Sequence, residues 1–320
     1  MENQGVTVLL PVKNGSEYLL NSIRNIESFL SPMDEILVVD DNSTDGTPRI
    51  LEKWAYSNSR VRVIANKGSG IVDALNLGLK EARFEWIARV DVDDEYSSSR
   101  LSTQKLLIQS DVVAIFSDYD LYYEGVRQLG TIRSAVFSPA VSVSLISAQR
   151  TAHPSVLFNR SAALSVGGYL IQDFPAEDLS LWLRMSRLGK LVSNPEVLLH
   201  YRVGRGSISS TKRDAMRVKK QEHLSNIRVN PSDVALFQDN YFELFESYKN
   251  HSDQTSRRIL LFRDYKKLFE HSEINKRNTL IEKHFIRWMT KTPGASFQVG
   301  KMAKEMSIRK IYRSINFPKH

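Results

Sequence analysis

Three carboxylates within four residues, Asp91-Val92-Asp93-Asp94, close the apolar run Trp86-Ile87-Ala88-Arg89-Val90. Neighbouring carboxylates repel one another, which costs free energy unless a divalent cation or a donor-rich ligand offsets it. Hard carboxylate oxygens suit Mg2+ or Mn2+, so the segment reads as a seat for a metal and a phosphate. The plain alternative is a solvated acidic turn, because Asp-x-Asp is short enough to recur by chance. A second pair, Asp40-Asp41, follows Val38-Val39 and opens Asn42-Ser43-Thr44-Asp45-Gly46-Thr47. Those later residues are what any tight turn and helix cap would use. Asp41 is harder to explain by turn chemistry, since a carboxylate at a strand's carboxyl end can accept the ring N–H of a pyrimidine. A third pair, Glu177-Asp178, follows Pro175-Ala176 at the start of a helical segment. Its plain reading is an acidic helix N-terminus, worth a few tenths to ~1 kcal/mol.

These acids need a scaffold, and the first ~120 residues supply its pattern: short β-branched runs alternating with segments of helical period, an α/β unit with a largely parallel sheet. The predicted strands are Val6–Leu10, Ile36–Val39, Val61–Ile64, Trp86–Val90 and Val112–Phe116. Between them the periodicity predicts helices over Glu17–Phe29, with Ser16 as cap, and over Thr47–Trp54, Ile71–Ala82 and Arg100–Ile108. Ligands of open α/β sheets bind outside the carboxyl ends of the strands. Pro11–Gly15, Asp40–Gly46, Asn66–Gly70 and Asp91–Glu95 are therefore expected to converge on one crevice. From Tyr119 the pattern loosens, with strands at Val156–Phe158 and Val197–Tyr201 around a helix over Asp178–Leu188. After Ser210 helix formers dominate, and apolar spacing predicts helices at Ala235–Phe245, Ile259–Phe269, Ile281–Met289 and Met302–Ile311. The expected division is an α/β domain over 1–210, with a ligand-binding half at 1–118 and a second half at 119–210, followed by a basic helical appendage over 211–320.

Composition narrows the chemistry. The 320 residues include no cysteine, which excludes disulfides, thiolate metal sites and thiol catalysis and fits a reducing compartment. A metal must be held by oxygen or imidazole. No apolar stretch approaches the ~20 residues that span a bilayer, and Met1–Gly5 lacks the features of a signal peptide, so a cytoplasmic location is expected. The net charge of +8 is uneven, with 23 Lys and Arg against 12 Asp and Glu in residues 211–320. Neither a Gly-x-Gly-x-x-Gly turn after the first strand nor a Gly-Lys-Ser/Thr loop is present, which counts against dinucleotide and P-loop chemistry.

Five ordered segments carry a resemblance: Val8-Leu9-Leu10-Pro11-Val12-Lys13-Asn14, the Asp40–Thr47 turn, Gly70-Ile71-Val72-Asp73-Ala74-Leu75-Asn76, Ile87–Asp94, and Glu177-Asp178-Leu179-Ser180-Leu181-Trp182-Leu183-Arg184. Over roughly two thirds of its length the chain resembles the family 2 glycosyltransferases, inverting nucleotide-sugar-dependent enzymes of the GT-A fold. The resemblance implies a Rossmann-like, mostly parallel mixed sheet with flanking helices. It implies that Pro11, Lys13 and Asn14 line base and ribose beside the Asp40-Asp41 pair, with Asp41 bonding uracil of a UDP-sugar. Asp91 would contact ribose or metal, and Asp93 would ligate the Mn2+ or Mg2+ that bridges the diphosphate. Asp178 would be the catalytic base, with Glu177 orienting it or the acceptor. Val12 and Asp73 depart from the family pattern.

Further residues are placed by neighbourhood. Lys67 and Arg89 lie close to these turns; Arg89 reads as an electrostatic partner of the acids, and Lys67 equally as a solvated lysine. His153, before Pro154, stands where the family often carries a His-Pro pair near the sugar, although a lone histidine is more often structural. Arg202 and Arg205 belong to a polar loop able to close over the pyrophosphate. Residues 279–320, with nine Lys and Arg against two Glu among apolar groups, read either as a helix on the anionic inner face of a membrane, near a lipid-linked acceptor, or as a helical cap with its charges in water. No nucleic-acid-binding module accompanies the charge. The expected function is metal-dependent, inverting transfer of a hexose or N-acetylhexosamine to a glycan or lipid-linked acceptor in surface polysaccharide synthesis. The competing readings are a degenerate binding module of the same fold and another nucleotide enzyme, such as a nucleotidyltransferase.

Overall fold

The computed structural model describes residues 4–123, 127–132, 151–203 and 211–225, with Phe285, Trp288, Lys291 and Thr292 beyond them. Arg205, most of the stretch between Tyr119 and Thr151, and the predicted tail helices and 279–320 segment apart from those four residues lie outside the described residues. The chain divides into two units, Met1–Ile227 and Arg228–His320. Among the described residues no helix is long and apolar enough to cross a membrane.

In the first unit, strands β1 (Val6–Val12), β2 (Glu35–Asp40), β3 (Val61–Ala65) and β4 (Trp86–Arg89) alternate with helices α1 (Ser16–Phe29), α2 (Thr47–Ser57) and α3 (Ile71–Glu81). They pair in parallel in the order β3-β2-β1-β4. The chain moves outward from β1 to β3 and then crosses to the far side of β1. That reversal leaves a crevice at the carboxyl ends of β1 and β4, the usual ligand position in such sheets.

Beyond β4 the sheet changes character. Strand β5 (Glu95–Tyr96) and helix α4 (Arg100–Lys105) lead into the long β6 (Val112–Tyr123) and β7 (Arg127–Ile132), and then come β8 (Leu157–Asn159), α5 (Arg160–Ser165), α6 (Glu177–Met185), β9 (Lys190–Val203) and α7 (Arg213–Ser225). Strand β8 runs antiparallel between β4 and β6, β6 and β9 are parallel, and β5 and β7 add antiparallel pairs. The sheet is mixed and mostly parallel, as expected.

Strand alternation divides the core between the two faces of the sheet. Val6, Val8, Leu10 and Val12 point to one side with Ile36 and Val38, where Leu19, Ile26 and Phe29 of α1 and Leu51 and Trp54 of α2 cover them. Leu9, Leu37 and Val39 point to the other, against Leu75 and Leu79 of α3 and Leu181 and Trp182 of α6. Both faces of the central strands are buried, which is why these runs read as continuously apolar.

Several boundaries differ from the periodicity. Ser16 is not a cap: Gly15 holds that position, without a side chain of its own to offer. The first amides of α1 are served instead by the neighbouring loop, Gly15 N donating to Thr47 Oγ1 at 2.8 Å and Ser16 N to Asp45 Oδ2 at 3.1 Å. Asp73 also finds an explanation, since its carboxylate accepts from Ser69 N at 3.0 Å and ties down the entry to α3. Helix α4 stops at Lys105 rather than Ile108, while β6 and β9 run well past their predicted ends because each has a long partner in the other. Strands β5 and β7 and helix α5 were not expected; β5 has only two residues, too few for any period.

Trp182 is fully buried, with ring centroids 5.4 Å from Phe116 of β6 and 5.4 Å from Phe158 of β8. Trp182→Ala opens a cavity beneath α6 and is expected to lower stability by about 3–5 kcal/mol, read as a reduced urea midpoint.

Candidate active site

The crevice at the ends of β1 and β2 is organised around the Asp41 carboxylate, which is buried. Asn66 Nδ2 donates to Oδ1 at 2.7 Å, Gly70 N lies 3.1 Å from both oxygens, and Lys13 Nζ stands 3.2 Å from Oδ2. Gly70 has φ +90°, so the amide that reaches Asp41 depends on a residue free to adopt that conformation. A cavity of about 410 Å3 opens here, lined by Pro11, Lys13, Asp41, Gly70, Ile71 and Phe174 among others. Asn14, at φ 51°, does not line it; its side-chain oxygen accepts from Thr44 N at 2.8 Å and laces two turns together. Asp40 Oδ1 accepts from Ser43 N at 3.2 Å, a turn contact, and Lys67 is exposed and lines neither this cavity nor the one described next.

At the end of β4 the buried Arg89 guanidinium bonds Asp91. Burial opposes its charge, but Asp91, with Tyr96 and Tyr169 nearby, more than offsets this and holds its pKa above the ordinary value. Oxygens of Asp91, Asp93 and Asp94 lie within 4.8 Å of one another. Burial and the Asp91 charge push Asp93 up to about 6, and burial with both neighbours drives Asp94 well above the carboxylate range. Asp94 Oδ1 accepts from Arg202 N at 2.7 Å, while its Oδ2 is buried without a hydrogen-bond partner among the described residues. Hard oxygen donors with an unpartnered buried oxygen and unrelieved mutual repulsion fit a divalent cation such as Mg2+ or Mn2+.

What stiffens this loop was invisible in the sequence. Asp91 N donates to Tyr96 Oη at 2.7 Å, and Tyr96 exchanges backbone bonds with the Asn25 side chain of α1. The fully buried Arg100 lies 4.4 Å from the Tyr96 ring centroid and donates to the carbonyls of Arg89 at 2.9 Å and Val156 at 3.1 Å. Gln104, one turn on, donates to Ile115 O at 3.1 Å and Ser155 O at 2.9 Å. One face of α4 thus clamps β4, β6 and the turn carrying His153.

Facing the acids of β4 is the start of α6. Glu177 is buried, its Oε2 has no partner among the described residues, and burial plus the Asp178 charge pushes it up to about 7. Asp178 is half-buried, and its Oδ1 accepts from Leu179 N at 2.7 Å. His153 Nε2 lies 2.9 Å from Tyr169 Oη; burial, and secondarily Arg89, depress its pKa, so the imidazole is neutral. Tyr169 is in turn held by Asn76, whose amide bonds its backbone N and O at 2.9 and 2.8 Å. Asn76 and Arg184, which donates to Gly168 O at 2.7 Å, are structural ties between the motif segments and the Gly167-Gly168 turn.

A second cavity of about 490 Å3 joins the two sets of acids. Arg89, Asp91 and Asp93 line one part of it, Glu177, Asp178 and His153 another. Ile71 borders both cavities. Tyr119 and Tyr201, an edge-on pair with centroids 6.0 Å apart, line it too, as do Arg202 and, from α7, Met216 and Lys220. Of the predicted residues, Pro11, Lys13 and Asp41 meet in the first cavity and Arg89, Asp91, Asp93, His153, Glu177, Asp178 and Arg202 in the second. Tyr119, Tyr201, Met216 and Lys220 were missed, because nothing in the local sequence marks a strand tyrosine or a residue of α7 as part of a cavity wall.

Residues 7–151 match the model of "Glycosyl transferase family 2". EpsE of Bacillus subtilis (strain 168) is 30% identical over 192 residues, spanning 58% of this chain and 67% of that protein. The Escherichia coli UDP-Glc:alpha-D-GlcNAc-diphosphoundecaprenol beta-1,3-glucosyltransferase WfaP is 26% identical over 212 residues, 65% of this chain and 80% of its own. The structure of the mannosyltransferase PcManGT from Pyrobaculum calidifontis, in complex with GDP-Man and Mn2+, superposes with a TM-score of 0.56 at 18% identity, covering 97% of this chain and 82% of that one. The mixed, mostly parallel sheet with its flanking helices is the GT-A fold. The chain belongs to the family 2 glycosyltransferases.

Two expectations follow from this electrostatic arrangement. Glu177 binds its proton more tightly in the folded state, up to about 7 against an ordinary 4.5, so its share of stability is present at low pH and declines as pH rises through that window. Glu177→Gln is expected to gain stability over wild type progressively across the same interval and to run parallel above it, measured by denaturant midpoints at each pH. Arg100→Leu takes its donor from the Arg89 carbonyl, leaves Val156 O with the Arg89 amide at 3.1 Å, and is expected to cost about 2–5 kcal/mol, with Gln104→Leu milder, by the same assay.

Proposed function

We propose that this glycosyltransferase moves a hexose or N-acetylhexosamine from a UDP-sugar to an acceptor hydroxyl with inversion at the anomeric carbon, in the synthesis of a surface polysaccharide. The observation that carries the reading is the single cavity of about 490 Å3 with Asp91 and Asp93 on one part of its wall and Glu177 and Asp178 on another. An inverting displacement needs this division: charge stabilisation where the diphosphate departs, and one carboxylate where the acceptor hydroxyl enters.

In this reading the uridine occupies the neighbouring crevice, against Pro11 and the Asp41 carboxylate, with Lys13 yielding its contact at Oδ2 to the base. Asp91 and Asp93 would hold a divalent cation, with the buried Asp94 tethering their loop to β9; Mg2+ or Mn2+ bound there would supply Lewis-acid neutralisation of the leaving diphosphate. Arg89 orients Asp91, and Arg202 adds positive charge on the same side. Asp178 takes the proton of the acceptor hydroxyl as that oxygen bonds to the anomeric carbon and the bond to the diphosphate breaks. Glu177, holding its proton up to about pH 7, avoids a second charge beside the base. The neutral His153, steadied by Tyr169, faces the sugar as a hydrogen-bonding group. Transfer is a single displacement without a sugar–enzyme intermediate.

The chain acts, in this proposal, in the cytoplasm at the inner face of the membrane, where the basic 279–320 segment meets anionic lipid and lipid-linked acceptor. The composition of that segment and the lipid-diphosphate acceptor in WfaP's name support this placement.

Asp178→Asn is expected to reduce transfer by about 10²–10⁴-fold while UDP affinity stays close to wild type, since it removes the base alone. Retained transfer would remove Asp178 from that role. Asp93→Ala is expected to weaken Mn2+-dependent UDP binding by about tenfold or more, by calorimetry against UDP, GDP, CDP and TDP with and without Mn2+. A wild-type chain that binds none of the four would favour the degenerate binding module instead.

A further inference from the structure

We propose that Lys220, with Met216 one turn before it on α7, forms an acceptor-side subsite for an anionic group, so that the acceptor carries a phosphate or carboxylate beside the sugar it presents. This rests on the donor and acceptor sides assigned above. Met216 and Lys220 are four residues apart, on one face of α7, and both are half-buried and line the central cavity. The other basic side chains described on that helix are differently placed. Arg217 lies 3.8 Å from Asp214 and Lys219 3.0 Å from Glu222, each compensated on its own helix. Among the described residues, Lys220 has no such ion pair and faces the cavity instead.

The cations of the cavity divide between its two ends. Arg89 and Arg202 are the basic groups whose charges reach Asp93, on the side of the departing diphosphate. Those that reach Glu177 are Arg89 and Lys220. Arg89 is already bonded to Asp91, so among the described residues Lys220 is the uncommitted cation beside Glu177 and Asp178. Asp91, Asp93 and Asp178 repel an anionic substrate from the cavity wall they line, and Lys220 marks the approach where that repulsion is reversed. An ammonium on a flexible stem suits a phosphate or carboxylate oxygen without demanding one geometry, and Met216 beside it offers apolar contact to whatever the anion is attached to.

The test is calorimetry on the full chain with UDP and Mn2+ saturating, so that the donor site is filled. Farnesyl diphosphate, methyl α-galacturonide and the neutral methyl α-galactoside are then titrated separately. Wild type is expected to bind one anionic probe about tenfold tighter than the galactoside, as a charge-assisted contact should. Which anion it prefers separates a lipid diphosphate from an acidic sugar. Lys220→Gln should abolish that preference and Lys220→Arg retain it, with UDP affinity within about twofold of wild type in both. The inference is overturned if neither anion is preferred, if Lys220→Gln keeps the preference, or if that variant loses UDP and farnesyl diphosphate affinity together, which would put Lys220 on the donor diphosphate. A wild-type chain that does not bind UDP with Mn2+ is a separate result, and it overturns the donor assignment on which the subsite rests.

Discussion

The arrangement depends on how negative charge is held at the end of β4. Three carboxylates with oxygens inside 4.8 Å of one another are stable neighbours only if something gathers their charge. Arg89, buried at the last position of the strand, engages Asp91 alone. Asp93 and Asp94 retain the mismatch as raised pKa values, and one Asp94 oxygen stays without a partner among the described residues. A site that keeps such unrelieved charge is one whose balance is completed by a ligand.

Keeping those acids in register falls to groups that touch no cavity. Arg100 and Gln104 spend their hydrogen bonds on carbonyls of β4, β6 and the Ser155-Val156 stretch, while Tyr96 receives the Asp91 amide and stacks under Arg100. On the opposite side Asn76 and Arg184 bind the backbone around Gly168 and Tyr169, and Tyr169 steadies His153. The two halves of the cavity are each braced from behind by side chains spanning distant segments. Buried polar networks of this kind are costly unless fully satisfied, which makes them effective at enforcing one geometry.

Much of this was legible from residue types. The β-branched runs located β1 to β4 to within a residue or two, because strands buried on both faces must be apolar throughout. The acidic pairs stood out because carboxylates at strand ends are poorly explained by packing. Elements after β4 were less legible: β6 and β9 owe their length to each other, and β5 and β7 exist only as pairing partners. Asn14 and Asp40 read like ligands but serve turns, since the same short polar side chains that suit a nucleotide also satisfy backbone amides. Composition assigned α7 to the basic tail, yet Met216 and Lys220 line the cavity.

The sequence by itself determined the α/β class, the ligand-bearing ends of the strands and the three acidic clusters, because periodicity and charge are local properties read one segment at a time. Tertiary structure alone decided that Asp93 and Asp178 face one cavity and that Arg100 braces the loop before it. It also decided that Asp45 and Thr47, rather than Ser16, serve the first amides of α1. Those are distances between segments tens of residues apart, and they are set by which faces of the sheet had to be covered and by what.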